Sequence, residues 1–111
     1  MNKKNVLLMG VHGRIGEHLY IELNEAANLF AFSSPNQVPD HENITFIKKD
    51  LCILPEVEEA LQNIDVVIFF EDPIMRLNRL TQGKFYDLYI LIADNIARAA
   101  STNQVEQIIY I

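Results

Sequence analysis

The chain is poor in cysteine, in basic residues and in long apolar runs, and each shortage excludes something. Cys52 is the single cysteine in 111 residues, so no internal disulfide framework can form, which fits a reducing cytoplasm. Nine Lys and Arg stand against fifteen Asp and Glu, a formal charge of −6, which argues against nonspecific contact with nucleic acid or an anionic membrane. The apolar run near the start, Val6-Leu7-Leu8-Met9, is too short for a signal-peptide core or a membrane span. No tract repeats, and none is of low complexity. With half of its residues hydrophobic, the sequence is expected to fold as one cytoplasmic domain, residues 1–111, with a real core.

Glycine is also scarce, yet three of the four glycines stand together in Gly10-Val11-His12-Gly13-Arg14-Ile15-Gly16. A buried strand there turns sharply into a helix whose first amide groups are free. Those N–H groups and the helix dipole suit an anion, typically the pyrophosphate of a dinucleotide. The glycines serve a tight turn, close approach of the backbone to phosphate, and close helix–strand packing.

From Arg14 to Ala27 the apolar residues Ile15, Leu19, Leu23 and Ala26 share one helical face, with Glu17, Glu22 and Glu25 elsewhere. Leu29–Phe32 reads as a second strand, and Pro35–Asn43, with two prolines, as an exposed loop. Ile44–Ile47 is β-branched and aromatic, hence a third strand. Pro55 suits a helix first turn, with Val57, Ala60 and Leu61 on its buried side. Asp65–Phe70 is the strongest strand, stopped by Glu71-Asp72-Pro73. Ile74–Gly83 is ambiguous, Tyr86–Ala100 has helical periodicity, and Gln107–Ile111 closes as a strand. Alternating strands and helices predict an α/β fold: a doubly wound parallel sheet of about five strands, order 3-2-1-4-5, with flanking helices. Its switch point lies between the first and fourth strands, beside the glycine loop.

With these elements in order, the chain resembles the extended and atypical short-chain dehydrogenases/reductases, including the NAD-dependent epimerase/dehydratase group. The resemblance rests on GxxGxxG at Gly10–Gly16, on Asp50-Leu51 after the third strand, on Asp65-Val-Val-Ile, and on Asn95-Ile-Ala-Arg-Ala-Ala before the last strand. It implies a Rossmann-like fold and a dinucleotide, NAD or NADP. The cofactor-binding residues it implies are Gly10, His12, Gly13, Arg14, Ile15 and Gly16 in the loop, Ser33 after the second strand, Asp50 and Leu51 around adenine, and Phe70 ending the fourth strand. Ser33 and Ser34 are neutral and fit either nucleotide. Arg14 is able to reach a 2′-phosphate and tilts the choice towards NADP, which stays open.

Family members catalyse with a Ser or Thr beyond the fifth strand and a Tyr-xxx-Lys in the next helix, and no Tyr here is followed by Lys at that spacing. The proton donor for hydride transfer is therefore missing. No catalytic residue is assigned, and the expectation is a cofactor-domain piece, truncated before its C-terminal half, inactive alone. The alternative is a non-catalytic nucleotide-sensing or protein-interaction module. Glu71 and Asp72 would each repel a pyrophosphate by about 1 kcal/mol if turned towards it, so they are expected to point outwards. His12, His18, His41 and Cys52 lack metal-ligand spacing, and no metal is expected. Cys52, between Leu51 and Ile53, reads as a buried or half-buried small hydrophobe. Residues 108–111 should form an apolar edge through which the chain self-associates.

Overall fold

The structure, a computed structural model, describes residues 3–9, 13–32, 43–69 and 82–111, with backbone alone at 13, 14 and 82–89. Its elements run β1 (Asn5–Leu8), α1 (Gly13–Leu23), β2 (Asn28–Phe32), β3 (Ile44–Ile47), α2 (Leu54–Ala60), β4 (Val66–Phe69), α3 (Gln82–Thr102) and β5 (Gln107–Tyr110). The strands form one parallel sheet in the order β3-β2-β1-β4-β5, as their apolar character and the intervening helices predict.

Each strand divides its side chains between the two faces, because successive residues point oppositely. Leu7, Met9, Phe32, Val67 and Phe69 meet Val57, Leu61 and Ile64 from α2 and its trailing turn, and Ile92, Ile96, Ala99 and Ala100 from α3. On the other face Val6, Leu8, Leu29, Ala31, Ile44 and Ile68 pack under Leu19, Tyr20 and Leu23 of α1. Leu7, Leu8 and Val67 are wholly buried, each contributing about 1.5–3 kcal/mol. Helices on both faces are what a doubly wound sheet requires.

Two expectations for α1 need correction. The helix ends at Leu23, where the Asn24 side-chain amide donates to the carbonyls of Tyr20 and Ile21 and turns the chain towards β2. Its inward face is Gly16, Leu19, Tyr20 and Leu23, whereas Ile15 is 45% exposed and Ala26 is exposed. Bringing Gly16 inward rotates its neighbour Ile15 about 100° away.

The strand N-termini share a polar seam. Asn5 N–H donates to the Asp65 carboxylate at 2.8 Å, and Asp65 N–H donates to the Asn5 carbonyl at 2.8 Å. The Asn5 amide group donates to the Asn63 carbonyl and its oxygen accepts from Asn28. Lys4 pairs with Glu106 across the same seam, which holds the Lys4 ammonium above its ordinary range. The seam ties β2, β1, β4 and β5 together at the sheet's N-terminal edge.

Candidate functional site

Parallel strands place every strand-to-helix loop at one edge. The chain therefore leaves β1, β2, β3 and β4 at the C-terminal edge, opposite the polar seam. The chain leaves β1 through Met9, whose N–H donates to the Ile68 carbonyl of β4 at 3.1 Å, and α1 begins at Gly13. Three residues, 10–12, lie between the two in sequence. β1 lies between β2 and β4, with α1 crossing one face to β2 and α2 crossing the other to β4. This is the point at which the winding reverses.

The first turn of α1 contains no acidic residue, so nothing in it competes with an anion for the free amide groups. Gly16 is buried at the end of that turn, where a larger side chain would push the helix off the sheet. These two features fit a pyrophosphate. Glu17 and His18 are exposed on the next turn, and Ile15, with Leu19, Ile21 and Ile111, lines an open apolar groove. Of the other loop residues, Arg14 lies in that first turn, while Gly10 and His12 fall outside the described residues, as do Ser33, Phe70, Glu71, Asp72 and residues 74–81.

Asp50 and Leu51 stand just past β3, two strand spacings or about 10 Å from β1 along the same edge. The Asp50 carboxylate accepts the Cys52 N–H at 2.9 Å and the Asp50 carbonyl accepts the Ile53 N–H at 3.1 Å, while Asp50 N–H donates to Glu56 at 3.4 Å. An Asx-type turn of this kind is a habit of aspartate. It leaves Asp50 exposed and packs Leu51 half-buried against the core.

The turn also corrects the reading of Cys52, which is exposed together with Ile53. Local burial pushes the Cys52 thiol up from its ordinary value, with the Asp50 charge and hydrogen bond adding in the same direction. It is a poor nucleophile at neutral pH. Among the described residues no three of His, Cys, Asp and Glu gather to hold a metal, and no helix is long and apolar enough to cross a membrane.

Two residues at this edge lie outside the implied cofactor-binding set, Asn95 counting there only as the first residue of the Asn95-Ile-Ala-Arg-Ala-Ala run. Lys48, exposed at the end of β3, sets a positive charge beside the Asp50 turn. Asn95 of α3, 5% exposed, donates from its amide to the Leu51 carbonyl at 3.0 Å. Its signal in the sequence is an amide lying on the buried stripe of Ile92, Ile96 and Ala99.

A family model described as NAD(P)H-binding matches residues 10–111, and the chain belongs to that family. It is 39% identical over 98% of its length to the auxiliary protein GraX of Staphylococcus aureus, covering 36% of that protein. It is 30% identical over 97% of its length to short-chain dehydrogenase/reductase family 42E member 1 of Macaca fascicularis, covering 29%. The chain thus spans about a third of the length of these curated relatives. Among solved structures it resembles a UDP-N-acetylglucosamine 4-epimerase from Methanobrevibacter ruminantium, with a TM-score of 0.72 and 23% identity over 97% of this chain and 37% of that one. The protein is an NAD(P)-binding Rossmann-like domain that resembles the epimerase, dehydratase and reductase enzymes.

Proposed function

We propose that residues 1–111 form one domain that holds a dinucleotide along the C-terminal edge of its sheet, as the cofactor-binding portion of an epimerase-, dehydratase- or reductase-type oxidoreductase. Gly10, Gly13 and Gly16 carry the pyrophosphate on the first turn of α1, with the His12 backbone and Ile15 beside it. Asp50 and Leu51 flank adenine, Ser33 meets the ribose, and Phe70 closes the crevice beside β1. Arg14 favours NADP over NAD by meeting the 2′-phosphate. When bound, the nucleotide supplies the hydride acceptor or donor, and this chain's residues supply grip and orientation. The observation that supports the reading best is the start of α1, four residues past Met9 of the central strand, acid-free in its first turn and buried at Gly16.

Titration with NADPH and NADH, followed by nicotinamide fluorescence, tests it. The expected result is saturable enhancement with tighter binding of NADPH, and a preference that disappears in Arg14→Gln. No response at millimolar nucleotide overturns it.

A second reading draws on the identity with a protein named as auxiliary: the domain senses nucleotide or docks a protein partner without turnover. In Gly13→Val, nucleotide binding is expected to fail under either reading. Partner binding that survives this substitution supports docking independent of nucleotide.

The exposed β5 edge also supports association with a second copy, and the single cysteine supports a cytoplasmic location.

A further inference from the structure

Asn95 is the buried polar residue of the core among the described residues. It lies on the stripe of α3 whose other members are Ile92, Ile96 and Ala99. A primary amide in such a setting is costly unless it is hydrogen-bonded. Its partner is the Leu51 carbonyl, 3.0 Å away, rather than a group on its own helix. The hydrogen bond crosses 44 residues of sequence to reach the turn between β3 and α2. That turn is already closed on its own side by the Asp50 carboxylate and carbonyl. It is thus gripped twice, from within by Asp50 and from α3 by Asn95.

A second asparagine, just past the end of the same helix, supplies the comparison. Asn103, eight residues on, donates to the Glu58 carbonyl at 2.8 Å and to the Ala99 carbonyl at 3.0 Å. It binds the later part of α2, towards the sheet's N-terminal edge and away from the loops of the candidate site. Both amides fasten α3 to the β3–α2 segment, but only Asn95 holds the residues at the C-terminal edge.

We propose that Asn95 is a positioning residue for the nucleotide site. By fixing the Leu51 carbonyl it sets the place and orientation of the Asp50–Leu51 turn before ligand arrives, so that an adenine base meets a preformed wall. The inference rests on the assignment of that turn to adenine given above. Holding a loop in its bound conformation raises affinity by removing the ordering cost from the binding step. The effect belongs to the adenosine half of the ligand and leaves the nicotinamide half untouched.

The test compares the full chain with Asn95→Leu and Asn103→Leu, near-isosteric changes that keep an apolar residue at each position. Binding of NADH, AMP and nicotinamide mononucleotide is measured by calorimetry, and protection of Cys52 from alkylation by AMP is followed in parallel. Asn95→Leu is expected to weaken NADH and AMP by about tenfold, the scale of one net hydrogen bond, and to lose the protection of Cys52. Nicotinamide mononucleotide should bind it as it binds the unaltered chain. Asn103→Leu should lower the thermal midpoint and bind all three ligands normally. Asn95→Gln, which retains the donor, should recover part of the loss.

If the unaltered chain binds neither NADH nor AMP, the dinucleotide reading fails and takes this inference with it. If the chain binds them and Asn95→Leu binds them equally, the inference alone is overturned. Equal losses in the two Leu variants also overturn it, because general loosening of α2 against α3 then explains both.

Discussion

Asn5 and Asp65 bind each other twice, each offering its backbone N–H, one to a carbonyl and the other to a carboxylate, both at 2.8 Å. This reciprocal pair sets the register of β1 against β4 at the edge remote from the candidate site. Asp65→Ala is expected to cost about 1.5–3 kcal/mol, the range for a hydrogen bond to a charged group. Urea unfolding should show a lower midpoint and one cooperative transition, with NADH affinity unchanged in the folded protein.

Helix α3 ends in a Schellman motif. Val105 N–H reaches the Ala100 carbonyl at 3.0 Å, Gln104 N–H reaches the Ser101 carbonyl at 3.3 Å, and Gln104 has φ 56°. Glycine is the usual occupant of that left-handed position. Gln104→Gly should therefore raise stability, by about 0.5–1 kcal/mol after its greater unfolded-state entropy is counted. A thermal melt that moves downward would contradict the assignment.

Cys52 is exposed, yet burial of its surroundings first, and Asp50 second, hold its thiol above the ordinary value. Alkylation should be slow at neutral pH, with a rate that climbs to a midpoint above the ordinary range of a free thiol. Asp50→Asn should bring the midpoint part of the way down. Because the folded state keeps its proton longer than the unfolded one, this thiol's contribution to stability is present below the ordinary range and fades as pH rises through the raised value. Cys52→Ser should remove that alkaline decline.

β5 is an edge strand in which Ile108, Ile109, Tyr110 and Ile111 are 38–68% exposed. Ile109 continues the α1 side of the sheet and Tyr110 stacks on Phe69 at 5.7 Å on the other. Concentration-dependent dimerisation is expected in sedimentation runs, and Ile109→Lys should suppress it, since an edge lysine opposes strand pairing. A monomer at the highest attainable concentration would refute association through this surface.

The strand order was legible because Val6–Met9 and Val66–Phe70 are unbroken apolar runs, Ile44–Ile47 is β-branched and aromatic, and helix-length segments alternate with the strands. A parallel sheet leaves few other arrangements for such a pattern. The face of α1 was not legible. Counting apolar residues chose Ile15, while packing chose the side with no side chain, Gly16, because the helix needs close approach there. Cys52 was misread for a related reason: Leu51 and Ile53 look like a buried pair, but the Asp50 turn sends one in and one out. Asn95 was legible only as the head of the Asn95-Ile-Ala-Arg-Ala-Ala run, because an amide on an apolar stripe declares its hydrogen bond only once its partner, far away in sequence, is in place.

Helix α2 has seven residues, and its N-cap, Ile53, makes no side-chain capping bond. A peptide of that length has almost no helicity in water. It owes its shape to α3, which spans three times the distance and fastens the segment through Asn95 near one end and Asn103 near the other. The pair should then open and close as one unit in hydrogen exchange, with α2 amides slowed to the pace of the longer helix. A disturbance to the long helix would thus reach the Asp50 turn through its short neighbour without passing through the sheet.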